Sequence, residues 1–355
     1  MLFQLLSFTA ILITLVVCLS AAPLGRHLGV MAIPDGRRKT HSSATPQLGG
    51  VAILTGFGVW LAGYLAWSGA PPDKLLLAVL LSAAGLAVVG FIDDRHEIPP
   101  ISRILMLLVF LDITFALDPE LLRPVLHWYS FGDGSIPQIA FFILLSMTSV
   151  GLVNSVNMAD GQNGLVGSMF VVWSLCLAIV SDGTLAMAAG MVGALSMVFL
   201  VFNLQGKIFL GDCGSYGVTF ALGILTAAAH ARGELPLETI IVWFFIPVAD
   251  CLRLVVSRPL RGRSLFQGGR DHFHHLLQDA LGMRTSAAVY IGAVVASSLF
   301  TTLVPSFSLV CLSFMCAFYF SFANLTEAGR DVEHWDEQDT MAKVIPLQSV
   351  NDRER

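Results

Sequence analysis

Four aspartates fall where long apolar runs of this chain give way to short polar stretches: Asp93 and Asp94 in GFIDDR, Asp160 in MADGQNGL and Asp212 in FLGDCGS. A single carboxylate there could simply end a membrane helix, since at the centre of a span it would cost about 2.5–3.5 kcal/mol and less near an end. Four of them, two beside glycine, suit a hard cation such as Mg²⁺, which binds through one or two carboxylates and completes its shell with substrate phosphates. Neighbouring side chains on a helix point about 100° apart, so Asp93 and Asp94 are predicted to have separate tasks.

Basic and amide residues accompany the acids. Arg37, Arg38, Lys39 and His41 share one loop, and Arg258, Arg261, Arg263, Arg270, His272, His274 and His275 share another. Retention of Lys and Arg on the cytoplasmic side explains about half of these cations. Imidazoles mixed with arginines fit donors to phosphate oxygens. No cysteine or carboxylate pair sits near these histidines at a zinc-site spacing. Asn154, Asn157, Gln162, Asn163 and Asn203 offer the paired donor and acceptor edges that a nucleobase or sugar amide would meet, or that neighbouring helices would use between themselves. Neither G-x-x-x-x-G-K-[ST] nor a strand-linked G-x-G-x-x-G occurs, so ATP hydrolysis is not indicated. No nucleic-acid partner is expected.

These groups need helix ends to hold them. Of the 355 residues, 55% are hydrophobic and 13% charged, with a mean hydropathy of +0.75; soluble domains carry about 25% charged residues. The chain therefore reads as an all-α integral membrane protein. A helical span takes about 20 residues, and apolar runs of that order lie near 3–22, 47–67, 74–92, 101–117, 137–156, 164–181, 184–203, 209–229, 236–256, 285–303 and 306–324. The expectation is a polytopic bundle of about 11 helices (10–11). With the N-terminus outside and the C-terminus cytoplasmic, the inside loops hold 13 Lys and Arg and the outside loops hold 3, as the positive-inside rule favours.

The first run resembles a cleavable signal peptide only weakly, because no basic residue precedes it. The six cysteines form no C-x-x-C pair, so neither a disulfide framework nor a zinc knuckle is indicated. Residues 1–325 read as one membrane domain, and 326–355 as a polar cytoplasmic tail that frays or forms a short surface helix. The outside segment 118–136, with FGDGS, reads as a turn or small hairpin. In this topology 36–50, 92–98, 154–165, 203–215 and 258–277 all face the cytoplasm, as one site built from helix ends would require. A secondary transporter is the rival class, with Asp112 and Asp250 inside apolar runs as its best support. The one-sided acids and the lack of an inverted repeat oppose it. Asp250 and Arg253, one turn apart, read better as a structural pair.

The ordered series PDGRRKTHSSATPQLGG, GFIDDR, NSVNMADGQNGL, FLGDCGSYG, IPVAD and GRDHFHHLL closely resembles the polyprenyl-phosphate N-acetylhexosamine-1-phosphate transferases of glycosyltransferase family 4. The resemblance spans about residues 1–325. It implies a Mg²⁺-dependent transfer of sugar 1-phosphate from a UDP-N-acetylhexosamine to undecaprenyl phosphate, with release of UMP, at the cytoplasmic face of a bacterial inner membrane. Mn²⁺ is a conceivable substitute for Mg²⁺, and a homodimer is compatible with the family. Asp212 then matches the metal ligand. Asp93 and Asp94 match the pair of which one deprotonates or positions the lipid phosphate, and Asp160 an acid near the metal or nucleotide.

By the same resemblance Asn203 and the 160–164 loop, with Asn154, Asn157 and Asn163, fall in the nucleotide region. Arg270, His272, His274 and His275 fall in the diphosphate and sugar region, and Arg38, Lys39, His41 and Arg263 are phosphate-binding candidates. HFHH resembles the branch that starts O-antigen, common antigen or teichoic acid chains, whereas peptidoglycan enzymes that use UDP-MurNAc-pentapeptide usually show three consecutive histidines. UDP-GlcNAc is the first expectation for the donor, and a UDP-N-acetylated 6-deoxyhexose the second. Direct attack and a covalent aspartyl intermediate both remain open. One departure stands out: many bacterial members have Asp where this chain has Asn163. Asn keeps an acceptor oxygen, loses the charge and gains a donor, so a hydrogen-bonding role with activity retained is expected.

Overall fold

The computed structural model describes residues 2–34, 43–67, 73–123, 138–264 and 269–324. Arg38, Lys39, His41, FGDGS and the 326–355 tail lie outside these residues. Each of the predicted apolar runs is helical: α1 (Leu2–Leu19), α3 (Gly49–Trp67), α4 (Lys74–His96), α5 (Pro100–Leu117), α6 (Gln138–Ala159), α7 (Leu165–Val180), α8 (Gly183–Asn203), α9 (Gly211–Ala231), α10 (Leu237–Leu260), α12 (Met283–Leu303) and α13 (Pro305–Asn324). Two further helices, α2 (Ala21–Leu28) and α11 (Phe273–Leu281), are short. A short 3-10 turn, Pro119–Leu122, follows α5, and a two-stranded antiparallel pair joins Met31–Ala32 with Thr45–Pro46.

Among the described residues, 7 helices are long and apolar enough to cross a membrane, or up to 8 if a bent pair counts as one span. The bent pair corrects the first run: instead of one helix over 3–22, α1 stops at Leu19 and α2 leaves it at 71°. Helix α7 is apolar but short, and α9 is interrupted by Gly, Ser, Thr and Asp212. Outward faces carry apolar stripes at helical spacing, such as Leu5, Phe8, Leu12, Val16 and Leu19 on α1 and Ile101, Leu105 and Val109 on α5, all exposed. Large contiguous exposed apolar faces are foreign to soluble monomers and fit a multi-pass membrane protein.

Helix α9 is the central post, buried along most of its length and packed against α3, α4, α6, α7 and α8. Its neighbours reach it through glycines. A Cβ on Gly50 would lie 2.0 Å from the Gly214 nitrogen, and one on Gly90 2.4 Å from the Asp212 oxygen. Backbones thus touch directly, which is how helices without a water-driven apolar effect between them gain close packing. The turn before α9 is also tied to α3: Gly49 and Gly50 donate their N–H groups to the carbonyls of Phe209 and Leu210, each at 2.8 Å.

Local sequence explains the ends that matter. Helix α4 stops because Pro99 and Pro100 follow, and Glu97 takes a left-handed conformation (φ 44°) as its N–H closes on the Asp93 carbonyl. Gly211, at φ 74°, opens α9 where a Cβ would lie 2.7 Å from an Asp94 carboxylate oxygen. Pro247 in α10 has no N–H for the Trp243 carbonyl, and Trp173 Nε1 donates to that oxygen instead at 2.9 Å.

Replacement of Gly50 by Val is expected to abolish recovery of monodisperse protein in detergent, because backbone on both sides must move. Gly151→Ala, where a Cβ meets nothing within 4 Å, is expected to leave the thermal midpoint unchanged or higher, since Ala favours a helix interior by about 1 kcal/mol over Gly. Size-exclusion and thermal-unfolding profiles of the two variants check this pair.

Candidate active site

The polar clusters meet at one end of the bundle. Asp94, in the last turn of α4, accepts N–H from Asp212 at 2.9 Å and Cys213 at 3.1 Å, and the side-chain amide of Gln47 at 3.0 Å. It thereby satisfies the unpaired first amides of α9 and sits at the positive end of that helix. Its neighbour Asp93 takes different partners. Buried, it accepts from the Ile98 N–H at 2.7 Å and the Tyr216 hydroxyl at 2.9 Å, and pairs with Arg103 at 3.0 Å. Arg103 lies one turn into α5, so Asp93 closes the α4–α5 corner.

Asp212 lies in the first turn of α9. Asn157, near the end of α6, donates its side-chain amide to the Asp212 carboxylate at 2.6 Å and also reaches the Ser215 hydroxyl at 2.8 Å. The 160–164 turn follows α6 and carries Asp160. Among the described residues no donor meets the Asp160 carboxylate, and its pKa is pushed up to about 7, first by burial and then by the negative charge of Asp212. The two carboxylates are therefore close enough to repel.

Asn203 is buried, its oxygen accepting the Gly164 N–H at 2.6 Å and its amide donating to the Ile208 carbonyl at 2.9 Å. That residue fastens the turn to the segment leading into α9. Asn163 is exposed, with its Nδ2 facing Gly206. Asn154 donates back to the Val150 carbonyl within α6 at 2.8 Å.

The histidines separate by partner. His272, which precedes α11, sets Nδ1 3.1 Å from Asp250, with Arg258 3.4 Å from Nε2. His274 is buried against the turn: a Cβ on Gly161 would lie 2.1 Å from its Nε2, an atom without a hydrogen-bond partner among the described residues. Burial lowers the His274 pKa well below the usual histidine value, and His275 is held at about 4 by burial and by the charge of Arg270. Gln162 ties the turn to α11 by donating to Gln278 at 3.0 Å. Arg270 reaches Asp279 at 3.3 Å, and Arg263 is exposed on the loop after α10.

The residues that sequence reasoning passed over are mostly partners of the acids. Tyr216 lies four residues after Asp212 on α9, a spacing that could have nominated it. Gln47, Arg103 and Gln278 carried no local signal. Asp112 is exposed on α5, away from these contacts.

Among the described residues no three His, Cys, Asp or Glu side chains are grouped to hold a metal by themselves. The donors are oxygen atoms of carboxylates that repel one another, a set that fits a cation bound jointly with phosphates rather than a closed protein cage. One end of the bundle thus offers crowded carboxylates, a turn of amides and a helix bearing neutral imidazoles.

Residues 76–230 match the model of glycosyl transferase family 4. The chain is similar to a decaprenyl-phosphate N-acetylglucosaminephosphotransferase of Mycobacterium tuberculosis, 28% identical over 77% of this chain and 75% of the relative. It is 26% identical to an undecaprenyl-phosphate alpha-N-acetylglucosaminyl 1-phosphate transferase of Yersinia pestis, over 79% and 80%. A phospho-N-acetylmuramoyl-pentapeptide-transferase of Moorella thermoacetica is 28% identical over 68% and 78%.

The low pKa of His275 has a consequence for stability. Below its ordinary value of 6.5 an unfolded chain takes up a proton that the folded chain refuses until about 4, so folding stability is lost as pH falls through that window and not above it. The thermal midpoint of His275→Gln is expected to drop less than that of the parent between pH 7.5 and 4.5. Parallel curves would contradict the assignment.

Proposed function

We propose, for a chain whose residues 76–230 match the model of glycosyl transferase family 4, that it transfers N-acetylhexosamine 1-phosphate from a UDP-sugar to a polyprenyl phosphate, with UDP-GlcNAc as donor and undecaprenyl phosphate as acceptor. The observation that carries the reading is the meeting of Asp94, Asp160 and Asp212 from three separate segments at one end of the bundle, next to α11 and its histidines. An oxygen of the lipid phosphate attacks the sugar-linked phosphorus of the donor. The bond from that phosphorus to the bridging oxygen breaks, and UMP leaves. Both substrates are anions, so positioning and charge compensation do most of the work.

Asp212 and Asp160 would hold Mg²⁺, or Mn²⁺ in its place; the ion when bound supplies charge neutralisation on the diphosphate. Asp94 keeps the first turn of α9 in place, so that Asp212 points at one location. Asp93 fixes the corner through which the lipid phosphate approaches. Asn157 orients the Asp212 carboxylate, and Asn203 sets the turn that carries Asp160. His274, whose Nε2 has no hydrogen-bond partner among the described residues, would donate to or accept from the donor's diphosphate or sugar, with His275 and Arg270 close by and Arg263 as a further cation on the loop after α10. Arg38, Lys39 and His41, which precede α3 in the chain, would add donors to phosphate. Asn163 acts as a hydrogen-bonding group, and its neutral amide is compatible with turnover.

The finer topology belongs to the same reading. With eleven membrane-crossing helices, the N-terminus outside and the C-terminus inside, the site would lie at the cytoplasmic face of a bacterial inner membrane, where a UDP-sugar is available. Residues 1–325 form the transferase and 326–355 a tail, and a homodimer is compatible with this arrangement. The histidine pattern favours UDP-GlcNAc over UDP-MurNAc-pentapeptide. Initiation of an envelope polysaccharide such as O-antigen or common antigen follows from that donor.

UMP release by purified protein, with Mg²⁺, undecaprenyl phosphate and a panel of UDP-sugars, tests the proposal. Release is expected to need lipid and metal, to stop on chelation, and to fall at least about a hundredfold in Asp212→Asn, the scale of losing one charge-stabilising group. Release that persists in the chelated protein or in the folded Asp212→Asn variant would overturn these assignments.

A further inference from the structure

A second buried polar network lies beside the site and is not consumed by the chemistry above. Asp250, three residues after the Pro247 break in α10, receives four donors on one carboxylate. Its Oδ1 accepts from Arg253 at 2.9 Å, the Phe273 N–H at 3.0 Å and the Tyr319 hydroxyl of α13 at 3.0 Å, and its Oδ2 meets His272 Nδ1 at 3.1 Å. Arg253 also reaches the Tyr319 hydroxyl at 3.0 Å and the Asp271 carbonyl. Arg258 clamps the Asp271 carboxylate with two contacts, at 2.8 and 3.1 Å. Asp250, Arg253 and Arg258 thus hold three consecutive residues, 271–273, at the start of α11.

The bonding pattern is selective as well as dense. The His272 tautomer with its proton on Nδ1 donates to Asp250 and leaves the Nε2 lone pair toward Arg258; the other tautomer would set donor against donor there. The Phe273 N–H is one of the first amides of α11, and Asp250 satisfies it as a cap supplied by another helix. Register and rotation of α11 are therefore set from α10 and α13. The next residue is His274, whose ring lies on Gly161, and Gln278 one turn later takes the amide of Gln162. A shift of α11 would move the imidazole edge and the 160–164 turn together.

We infer that Asp250 and Tyr319 are positioning residues for the donor half of the reaction: through His272 and Phe273 they fix α11 so that His274 and the Asp160 turn face the UDP-sugar in one arrangement. This rests on the transferase reading for what the site binds. His272 is in this view the hinge pin of the latch, with both ring nitrogens engaged inside the protein, and His274 is the histidine turned to the ligand.

Two variants separate positioning from general stability. Asp250→Asn keeps the shape but puts a donor where an acceptor was needed, and Tyr319→Phe removes one hydroxyl from a helix distant from substrate. In each, the KM for UDP-GlcNAc is expected to rise about tenfold or more, the scale for losing a hydrogen bond to a charged group, while the KM for undecaprenyl phosphate stays within about twofold. Asp250→Glu should restore part of the donor affinity. If Asp250→Asn does not fold, Tyr319→Phe decides alone. A folded variant with unchanged donor KM, or with both KM values raised equally, overturns the inference.

Trypsin gives a readout that does not depend on the reaction. Cleavage after Arg261, Arg263 or Arg270 should be faster in Tyr319→Phe than in the parent at equal thermal stability. Should the parent release no UMP from any donor, the transferase reading fails while the proteolysis still judges the latch, and equal cleavage rates would sink it.

Discussion

The contact on which this molecule depends is the Asp94 carboxylate at the N-terminus of α9. A helix that begins among other helices leaves its first amides without partners, and bilayer depth offers no water to supply them. Asp94 accepts two of those N–H groups and Gln47 from the α3 side. The glycines at 50, 90, 211 and 214 bring the backbones near enough for this to happen. The same contact that lets α9 start inside the bundle places Asp212 one residue from the cap, so the fold and the site share one joint.

Charge governs what that joint can do. Asp93 has Arg103 as its counter-ion, whereas Asp160 and Asp212 press on each other. Crowded carboxylates near helix ends are costly in a membrane protein, and two anionic substrates would raise the cost further unless a cation and nearby basic groups enter with them. A site that is electrostatically unfavourable when empty and balanced when filled suits the transfer of a phosphoryl group between two phosphates. On the far side of the 160–164 turn the Asp250 network supplies rigidity without adding charge to the reacting centre, because its acids and arginines neutralise each other.

Hydropathy alone located the helical runs, since each is a long apolar segment interrupted at predictable Gly, Pro and Asp positions. It could not reveal that α1 breaks at Leu19, that α7 is short, or that α9 is too polar to resemble a lipid-facing span, because burial by neighbouring helices relaxes the demand for apolar residues. The acids were legible as a set because they recur at helix ends. Their partners were not: Gln47 and Arg103 are ordinary residues until the chain folds. Asn203 and His272 illustrate the converse. Their types suggest ligand contacts, but the structure places their polar atoms on the Gly164 and Ile208 backbone and on Asp250 and Arg258. Local sequence cannot tell a residue that touches substrate from one that holds its neighbour in place.

Asp212 and Asp160 are proposed to bind a divalent cation jointly with the donor's phosphates. This is tested most directly by the thermal midpoint of the purified protein with Mg²⁺ alone, UDP-GlcNAc alone, and both, compared with Asp212→Asn. A ligand that binds the folded state alone raises the midpoint, so joint binding gives small shifts for each alone, a larger one for the two together, and loss of that excess in the variant. Equal, additive shifts in both proteins would contradict it.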